Sequence, residues 1–599
     1  MPEVDANLRT QAYQAIDQND SNSRSLPMEI QEELDFDREE LATYLNTRLH
    51  GPASLTPSQR IPYDAVLGAV ESERPGAFFI DAPGGTGKSY VLNSILAAVR
   101  LLTPDSIAIA VAASGIAATL LLQGRTFHSR FKAPLDVTET STLGISEQSN
   151  LAELIRRAKL IVWDEAPMNN RFHLEALDRC LRMICQSNLV FGGKPILLAG
   201  DFRQVLPVVK RGSRAQTVNA VINRSQLWQH FQCFSLHENI RVLRNGCDGQ
   251  LLGFSDWLLK IGEGKIDNLN GDCDYILLPS DRCLIVNAEN PDTIKQGMMG
   301  LISFVYPNIL HNVSDRNWLA ERAILSPLNN AVDEINELCL NEIPGNLIVC
   351  NSADTTIQLD DATRFPTEYL NSISVNGIPP HRLLLKIGAP IMLLRNINPK
   401  EGLCNGTRLI LMAKHGEMLQ CQIAGGERDG RVVFLPRITF TPNSTEEFPM
   451  EWKRRQFPVR TSFAMTINKS QGQSLARVGV WLEESVFSHG QLYVACSRVG
   501  NPSNIKYAIK KHNDYRENAT RNVVYKEVFH TGRLQIIKMF TDLNHFAFLQ
   551  LHILEVGTLL QSNRLQQLIR SPCLPRPAIS SFWCGFNMNT FPPSKYWEF

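Results

Sequence analysis

The stretch DAPGGTGKSY, residues 81–90, decides the fold, because it has the pattern of a glycine-rich turn between a strand and a helix. The apolar run AFFID leads into it, and apolar residues at helical spacing follow Lys88. In such a phosphate loop, backbone N–H groups and a lysine converge on phosphate oxygens. An ordinary turn before a helix would not need both the lysine and the serine. We predict that the nucleotide phosphates bind to Gly84, Gly85, Thr86, Gly87, Lys88 and Ser89.

The phosphate loop belongs to a series of short apolar runs that end in, or just before, a glycine or an acid. They are AFFID at 77–81, IAIAVAAS at 107–114, KLIVWDE at 159–165 and PILLAGD at 195–201. Such runs, separated by helical segments, are typical of buried parallel strands, so we predict an α/β, doubly wound fold. A second α/β section is predicted from residues 321–337 and near Val480. Between them, the β-prone runs at 375–455 predict a small inserted β-barrel.

The composition excludes several classes of protein. The 599 residues include 60 Lys+Arg and 60 Asp+Glu, so any nucleic-acid site must be local rather than a global basic field. The 13 cysteines form no C-x-x-C pair, which disfavours a structural metal site or a disulfide framework. The apolar stretch at 539–557 is interrupted by Asp542, Glu555 and other polar residues, and no secretory leader is visible. We therefore predict no membrane partner.

Two further motifs complete a site for nucleotide hydrolysis. LIVWDEAPM at 160–168 ends a predicted strand in two acids. We predict that Asp164 holds Mg²⁺ together with the Ser89 hydroxyl, and that Glu165 deprotonates the attacking water. GDFRQVLPV at 200–208 places Gln204 just after another buried strand, where its amide can sense the γ-phosphate. Each motif alone is weak, since surface acids and turn glutamines are common, but the phosphate loop makes the set specific.

The order of the motifs resembles one helicase family. LTPSQ with Gln59, the phosphate loop, ASGIAATLLLQGRTFHSRF, VWDEAPM, GDFRQVLPV, ENIR with Arg241, AMTINKSQGQSL and GQLYVACSRV with Arg498 occur in the order seen in PIF helicases. These are superfamily 1B DNA helicases, and the sequence is most similar to the branch encoded by Helitron transposons. The resemblance covers about residues 50–530. Ala82 and Ser89 replace the Gly and Thr that are more usual in the family, and both changes keep the loop chemistry.

The resemblance implies two RecA-like domains with ATP in the cleft between them, together with the small β-barrel inserted into the second. We predict the following boundaries: a polar N-terminal segment at 1–50, a first motor domain at 51–265, the start of a second at 266–374, the barrel at 375–455, the rest of the second motor domain at 456–530 and an unassigned tail at 531–599. A Helitron protein also has an upstream nuclease domain, so the resemblance implies a helicase module or part of a longer protein.

The resemblance also assigns roles to residues outside the phosphate loop. Gln59 is implied to read adenine, Arg241 and Arg498 to act as arginine fingers, and Gln471 to couple the γ-phosphate to DNA. The implied DNA-binding residues are Ser114, Thr126, His128, Ser129, Phe131, Thr466, Asn468, Lys469 and Ser470. Hydroxyls, amides and a lysine suit backbone phosphates, and an aromatic or imidazole ring can stack on a base. A satisfied core histidine is an equally good interpretation of His128.

Taken with the residues, the resemblance implies an ATP- and Mg²⁺-dependent DNA helicase that moves 5′ to 3′ on single-stranded or forked DNA. It further implies roles in repair, recombination and telomere maintenance, a nuclear location, and a monomer or DNA-induced oligomer. A second hypothesis is a transposon-derived DNA-binding remnant without coupled unwinding, which the intact set of motif residues disfavours. A small-molecule kinase is disfavoured by the second motor domain and by the INKSQGQ segment at 467–473.

Overall fold

The computed structural model describes residues 26–240, 249–267, 274–358, 360–398, 401–426, 428–442, 448, 450–511 and 516–529. Two predictions therefore lie outside the described residues: the arginine finger Arg241, and the tail at 531–599 with its apolar stretch. In the part of the chain that is described, no helix combines the length and the hydropathy needed to cross a bilayer.

The first α/β domain, residues 28–240, is built on a six-stranded parallel sheet in the order β3-β2-β4-β5-β1-β6. Its strands are β1 (Ala77–Asp81), β2 (Ile107–Ala112), β3 (Arg125–Thr126), β4 (Ala158–Asp164), β5 (Ile196–Gly200) and β6 (Phe231–Ser235). The four strands predicted from the apolar runs are β1, β2, β4 and β5, and their parallel pairing is confirmed. Because parallel strands share a direction, their carboxyl ends meet at one edge of the sheet.

Helices cover both faces of this sheet. Those of the first α/β domain are α1 (Met28–Leu34), α2 (Arg38–His50), α3 (Pro57–Glu71), α4 (Lys88–Leu101), α5 (Gly115–Thr119), α6 (Phe127–Phe131), α7 (Asn150–Arg157), α8 (Arg171–Cys185) and α9 (Arg214–Ala220). Short 3-10 turns occupy Ala166–Met168, Val190–Gly193, Ile222–Arg224 and Gln226–His230. Along β2, Ile109 packs in one core while Ala108 and Ala110 pack in the other, which also contains α4. The period-two alternation of the strand thus divides the domain into two cores.

The first α/β domain begins earlier than the predicted boundary at residue 51. Glu33 of α1 is buried and forms an ion pair with Arg130, and Ile30 is buried in the core of the sheet. At the start of α2, the Arg38 guanidinium donates to the carbonyl of Leu101 at 3.0 Å. The buried carboxylate of Glu33 needs a partner of opposite charge, and Arg130 provides it. Glu33 and Arg38 are therefore structural contacts, which polarity alone did not reveal.

The second α/β domain has a five-stranded parallel sheet in the order β20-β9-β21-β22-β8. Its strands are β8 (Cys283–Val286), β9 (Arg322–Ser326), β20 (Ala464–Thr466), β21 (Arg477–Leu482) and β22 (Ile505–Lys510), with an antiparallel pair of β7 (Tyr275–Leu277) and β23 (Ala519–Arg521) beside them. Its helices are α10 (Gly249–Glu263), α11 (Pro291–Val305), α12 (Ile309–Asn312), α13 (Arg316–Ala320), α14 (Asn329–Glu342) and α17 (Gln491–Cys496). The 3-10 turns are Ser280–Arg282, Ile467–Ser470 and Pro502–Asn504, and a further turn, Lys526–Phe529, packs on the core of the first α/β domain through Val528.

A small β unit is inserted between α14 and β20. It contains β10 (Ile348–Asn351), β11 (Ala353–Thr356), α15 (Asp361–Arg364), α16 (Thr367–Ser372), β12 (Arg382–Leu385), β13 (Pro390–Leu393), β14 (Arg408–His415), β15 (Met418–Ile423), β16 (Val432–Pro436), β17 (Ile438–Phe440), β18 (Trp452–Gln456) and β19 (Val459–Thr461). Its main sheet is antiparallel in the order β16-β15-β14-β13-β19, over a core that includes Leu409 and Leu419. This strand order is open, so the pairing does not confirm the predicted barrel, and the strands extend beyond 375–455.

Candidate active site

The phosphate loop joins β1 to α4 at the carboxyl edge of the first sheet. Gly85 and Gly87 have φ values of 93° and 81°, which lie in the left-handed region that glycine adopts without strain. A Cβ at Gly87 would lie 2.6 Å from Nε2 of Gln59, and one at Gly85 would lie 2.8 Å from Oδ1 of Asn239. The left-handed conformation therefore requires glycine at these two positions, and a side chain there would also displace Gln59 or Asn239.

Gln59 lies against the phosphate loop because of how α3 begins. Thr56 and Gln59 form a capping box, in which the Thr56 N–H donates to Oε1 of Gln59 at 3.1 Å. The Nε2 of Gln59 then donates to the carbonyl of Thr86 at 2.9 Å. The structure thus places the predicted adenine-reading residue beside the loop, 27 residues away in sequence.

Lys88 and the two acids of β4 form the buried centre of the site. The Nζ of Lys88 forms an ion pair with Asp164 and lies 2.6 Å from Oε1 of Glu165. Burial alone would lower the pKa of Lys88, but the carboxylates of Asp164 and Glu165 outweigh it and raise that pKa above its usual range. Glu165 has a φ of 51°, an uncommon backbone conformation for a residue other than glycine. The three predicted groups therefore meet in one cluster.

A second cluster of charges follows β5. Asp201 is buried, and Arg203 donates to its Oδ1 at 3.0 Å while also contacting Asp81 and Glu263. The Nε2 of Gln204 lies 3.5 Å from Oδ2 of Asp201. The Oε1 of Gln204 is buried and has no hydrogen-bond partner within the described ranges. Gln204, the predicted γ-phosphate sensor, therefore has an amide oxygen that is free to accept a hydrogen bond.

The second α/β domain reaches this edge through α17. The hydroxyl of Tyr493 donates to Oδ2 of Asp201 at 2.8 Å and accepts from the N–H of Gly84 at 3.3 Å. Just before α17, Nε2 of His489 donates to the carbonyl of Phe202 at 2.8 Å, while its Nδ1 accepts from the N–H of Tyr525. The contacts of Tyr493 and His489 with the first α/β domain join residues that are 287 to 409 positions apart. The candidate site therefore lies between the two α/β domains.

Arg498 is placed differently from the predicted arginine finger. Its guanidinium donates to the carbonyls of Val494, Ser470 and Gln473 and to the Ser497 hydroxyl, all in the second α/β domain. These contacts brace α17 against the turn at 467–470. The neighbouring Ser497 is nevertheless close to the phosphate loop, since its Cβ lies 3.8 Å from an ideal Cβ on Gly84. The finger role of Arg498 requires its side chain to leave these carbonyls.

Gln471 lies in the same turn region and has unsatisfied hydrogen-bonding groups. It is 5% exposed, and neither Nε2 nor Oε1 has a hydrogen-bond partner among the described residues. A buried primary amide without partners is costly, so such a group is a candidate for binding a ligand. This observation supports the predicted coupling role.

The residues present fit a nucleotide with Mg²⁺. The loop provides backbone donors at the start of α4 and a lysine, and a hydroxyl at Ser89 and a carboxylate at Asp164 are the oxygen ligands that Mg²⁺ prefers. Buried amide groups on Gln204 and Gln471 still have unused hydrogen-bonding atoms. The site is thus equipped for phosphate binding and for hydrolysis.

The first set of predicted DNA residues lies at the beginnings of α5 and α6. Ser114 and Thr126 cap these helices through their side-chain oxygens, and Ser129 is exposed. His128 is half-buried, 5.0 Å from the ring of His173, and burial lowers its pKa to about 4, with a further contribution from His173. His128 is therefore neutral near pH 7.

The structure contradicts the prediction that Phe131 stacks on a base. Its ring is fully buried and packs 5.3 Å from that of Phe127, which in turn stacks on Trp163. A ring with no exposed surface has no face to offer a base. The aromatic spacing of the motif reflects core packing rather than DNA contact.

The second set of predicted DNA residues lies in the turn after β20. Thr466 and Lys469 line a cavity of about 580 Å³ together with Asn329 and Arg460, and Asn468 is exposed. Burial, followed by the charge of Arg460, lowers the pKa of Lys469 to about 8. The prediction that Ser470 contacts DNA is wrong. Its buried hydroxyl donates to the carbonyl of Ile467 at 2.7 Å and faces the protein interior.

The structure adds Asp201, Arg203, His489 and Tyr493 to the site. Asp201 ends a predicted strand run, and Tyr493 lies in a predicted motif, but neither carried an assigned role. The signal for Asp201 was its position at the same sheet edge as Asp164. Tyr493 offered no comparable signal, since its partners lie 292 and 409 residues away.

The chain is similar in sequence to known helicases. Residues 54–272 match the PIF1-like helicase family, and residues 368–413 match the 2B domain of DNA helicase Pif1. The ATP-dependent DNA helicase PIF1 of Homo sapiens is 26% identical over 450 residues, which cover 72% of this chain and 58% of that protein. ATP-dependent DNA helicase Pif1 of Campylobacter jejuni is 27% identical over 454 residues, covering 73% and 89%.

Solved structures show the same fold. A Pif1 helicase from Bacteroides in complex with ADP-AlF3 and ssDNA has a TM-score of 0.55 at 19% identity, covering 82% of this chain and 97% of that one. A Pif1 helicase from Candida albicans has a TM-score of 0.54 at 22% identity, covering 82% and 99%. The predicted fold class and the resemblance to PIF helicases are confirmed, while the Helitron-like branch stays a prediction.

Proposed function

We propose that this chain, whose residues 54–272 match the PIF1-like helicase family, couples ATP hydrolysis to movement along single-stranded DNA and so unwinds duplex DNA. The observation that carries the proposal is the seating of α17 from one α/β domain on the phosphate loop of the other, through Tyr493 and Gly84. A nucleotide site shared by two domains converts the loss of a phosphate into relative movement of the domains. A kinase site within one domain would not need this contact.

Each group of the phosphate-binding side has a defined task. Lys88 would exchange its carboxylate partners for phosphate oxygens, and Ser89 and Asp164 would hold Mg²⁺. When bound, Mg²⁺ supplies positive charge that stabilises the negative charge developing on the leaving ADP. Glu165, released from Lys88, would accept the proton of the attacking water. Gln204 would then detect the γ-phosphate by donating from Nε2, while its unpaired Oε1 would accept from the attacking water.

The groups of the second α/β domain would complete the site when the cleft closes. Arg498 would turn from the carbonyls of its own domain toward the phosphate, where a guanidinium stabilises the charge of the transition state. Arg241 would supply a second guanidinium. Gln471 would link this step to the turn that carries Asn468 and Lys469. Hydrolysis would thereby alter the grip of that turn on DNA.

The finer features are also proposals. The expected polarity is 5′ to 3′, the expected roles are repair, recombination and telomere maintenance, and the expected location is the nucleus. One similar structure bears the description of two coordinating Pif1 helicases unwinding forked DNA. We therefore expect this chain to act as a monomer or as a DNA-induced oligomer.

Strand displacement tests the proposed function. The full chain, with ATP and Mg²⁺, is given a duplex with a single-stranded 5′ arm, a 3′ arm, or both. We expect displacement with the forked and 5′-armed substrates and little with the 3′ arm, and none for Lys88→Ala. Folded protein that binds DNA and hydrolyses no ATP would instead support the DNA-binding remnant.

A further inference from the structure

Tyr493 is the side chain of α17 that contacts both the phosphate loop and the end of β5. It is 2% exposed, and Asp201, which accepts a hydrogen bond from its hydroxyl, is 1% exposed. The same oxygen accepts the N–H of Gly84, one of the backbone donors of the phosphate loop. A single hydroxyl thus joins the second α/β domain to two elements of the nucleotide site.

The partners of this hydroxyl are held rigidly. Arg203 fixes the Asp201 carboxylate and is itself fixed by Asp81 and Glu263. Gly490, which precedes α17, has a φ of 73°, and a Cβ there would collide with the carbonyl oxygen of Arg203. The start of α17 is therefore seated closely against the chain after β5, and the Tyr493 hydroxyl has a defined position.

We propose that Tyr493 is a positioning residue for ATP hydrolysis, which sets the distance between the phosphate loop and Arg498 through its contacts with Gly84 and Asp201. The inference rests on the proposed function and deepens it. Tyr493 and Arg498 lie five residues apart at one end of α17, and Ser497 between them approaches Gly84. A shift of α17 would therefore displace Arg498 relative to the phosphate.

The test variant is Tyr493→Phe, which keeps the ring and removes only the hydroxyl. We expect kcat for ATP hydrolysis to fall about tenfold, because misplacing a group that acts in the transition state lowers kcat. The KM for ATP should stay within about twofold, since Lys88 and the loop glycines are unchanged. A kcat within about twofold of the parent chain, or a loss confined to KM, would overturn the inference.

Tyr507→Phe is the matched control. Tyr507 is a fully buried tyrosine in the core of the same domain, and its hydroxyl lies 3.4 Å from Sγ of Cys496. Removing that hydroxyl loses a weaker buried hydrogen bond, to the last residue of α17, at a group with no contact to Gly84 or Asp201, so it tests whether any loosening of α17 is enough. We expect kcat of this variant to equal that of the parent chain. An equal fall in both variants would mean that general packing, rather than positioning, explains the result.

Cross-linking gives a second measurement that needs no hydrolysis. An ideal Cβ on Gly84 lies 3.8 Å from that of Ser497, which suits a disulfide. We expect the Gly84→Cys/Ser497→Cys chain to cross-link under mild oxidation, and about tenfold more slowly when Tyr493→Phe is added. An unchanged rate would contradict the inference. If Tyr493→Phe does not fold, Asp201→Asn weakens the same contact from its other partner and should also slow the cross-link.

Nucleotide binding separates failure of the inference from failure of the proposed function. If the parent chain hydrolyses no ATP, the proposed function fails, and the inference is then decided by the ratio of affinities for ADP with aluminium fluoride and for ADP alone. We expect Tyr493→Phe to lower this ratio about tenfold and Tyr507→Phe to leave it unchanged. Equal ratios in the parent chain and Tyr493→Phe would refute the positioning role.

Discussion

The two sides of the candidate nucleotide site differ in how their residues are brought together. On the first side, Lys88, Asp164 and Gln204 follow the ends of neighbouring parallel strands, so the sheet itself assembles them. On the second side, Gln471 and Arg498 lie in a turn and just after a helix, and they come near the phosphate loop only because α17 contacts the first α/β domain. The comparison indicates that the first side is preformed, whereas the second depends on the position of α17.

Hydrogen bonding shows the same contrast. The charges of the first side are paired, since Lys88 contacts both Asp164 and Glu165. On the second side, Arg498 is bonded to carbonyls of its own domain, and the buried amide of Gln471 has no hydrogen-bond partner among the described residues. A side with unused or redirected polar groups is the one expected to rearrange during a catalytic cycle.

The largest expected effect separates nucleotide binding by Lys88 from proton removal by Glu165 on the first side of the site. Lys88→Ala should lose both nucleotide binding and hydrolysis, because it removes the phosphate cation and leaves two buried carboxylates unpaired. Glu165→Gln should keep nucleotide binding but lower kcat by about a thousandfold, the usual contribution of a general base. Fluorescent-nucleotide titration and steady-state hydrolysis distinguish the two. Equal loss of binding in both variants would contradict the separate roles.

The second effect tests whether the second side is catalytic. Arg498→Ala should lower kcat by about a thousandfold, as for other arginine fingers, with a smaller change in ADP affinity. Arg498→Lys keeps the charge but loses the fork of donors and should recover little activity. A lowered melting temperature with kcat within tenfold of the parent chain would show that Arg498 only braces α17. The comparison of the two sides would then lose its catalytic meaning.

The third effect concerns the contact between the two sides. Burial lowers the pKa of His489 to about 4, below its ordinary value near 6.5, so the unfolded chain gains a proton first as the pH falls. The stabilisation is present above pH 6.5 and is lost toward pH 4. Between pH 7 and 5 this histidine should cost about 2 kcal/mol of unfolding free energy.

His489→Gln is the comparison for this effect, measured by denaturant unfolding at several pH values. The variant should be less stable at pH 7 but should lose about 2 kcal/mol less than the parent chain on going to pH 5. Parallel pH profiles for the two chains would show that His489 does not titrate as its burial requires.

The smallest effect tests the DNA side with two adjacent residues. Lys469→Ala should lower the affinity for single-stranded DNA about tenfold at low salt and reduce the salt slope by about 0.7, the loss of one phosphate contact. Ser470→Ala should leave both unchanged, because its hydroxyl is bonded inside the turn. Fluorescence anisotropy at several salt concentrations measures both. A larger loss from Ser470→Ala would reverse the assignment.

The pH dependence of DNA binding sharpens this comparison. Since the pKa of Lys469 is lowered to about 8, its charge is present at pH 7 and is lost as the pH rises through 8. Affinity should therefore fall between pH 7 and 9 in the parent chain and much less in Lys469→Arg, whose guanidinium stays charged. The same decline in both chains would exclude Lys469 as its cause.

The sequence predicted residues that share a sheet edge far better than residues that meet across the cleft. The positions of Asp164 and Gln204 at one edge could be predicted from the sequence, because neighbouring parallel strands end at the same edge of a sheet. Tyr493 could not be assigned, since its contacts depend on how two domains pack. Phe131 and Ser470 were misassigned for the opposite reason: a motif position does not show whether a side chain faces solvent or core. The open strand order of the β unit likewise depends on tertiary pairing.

The most direct test of the central claim is steady-state ATP hydrolysis by the full chain, with and without single-stranded DNA, beside Lys88→Ala. If the two α/β domains form one coupled site, DNA bound near Lys469 should stimulate hydrolysis several-fold, and Lys88→Ala should show none under either condition. Hydrolysis that depends on Lys88 but is indifferent to DNA would contradict the coupling. In that case the first side of the site would work without the second.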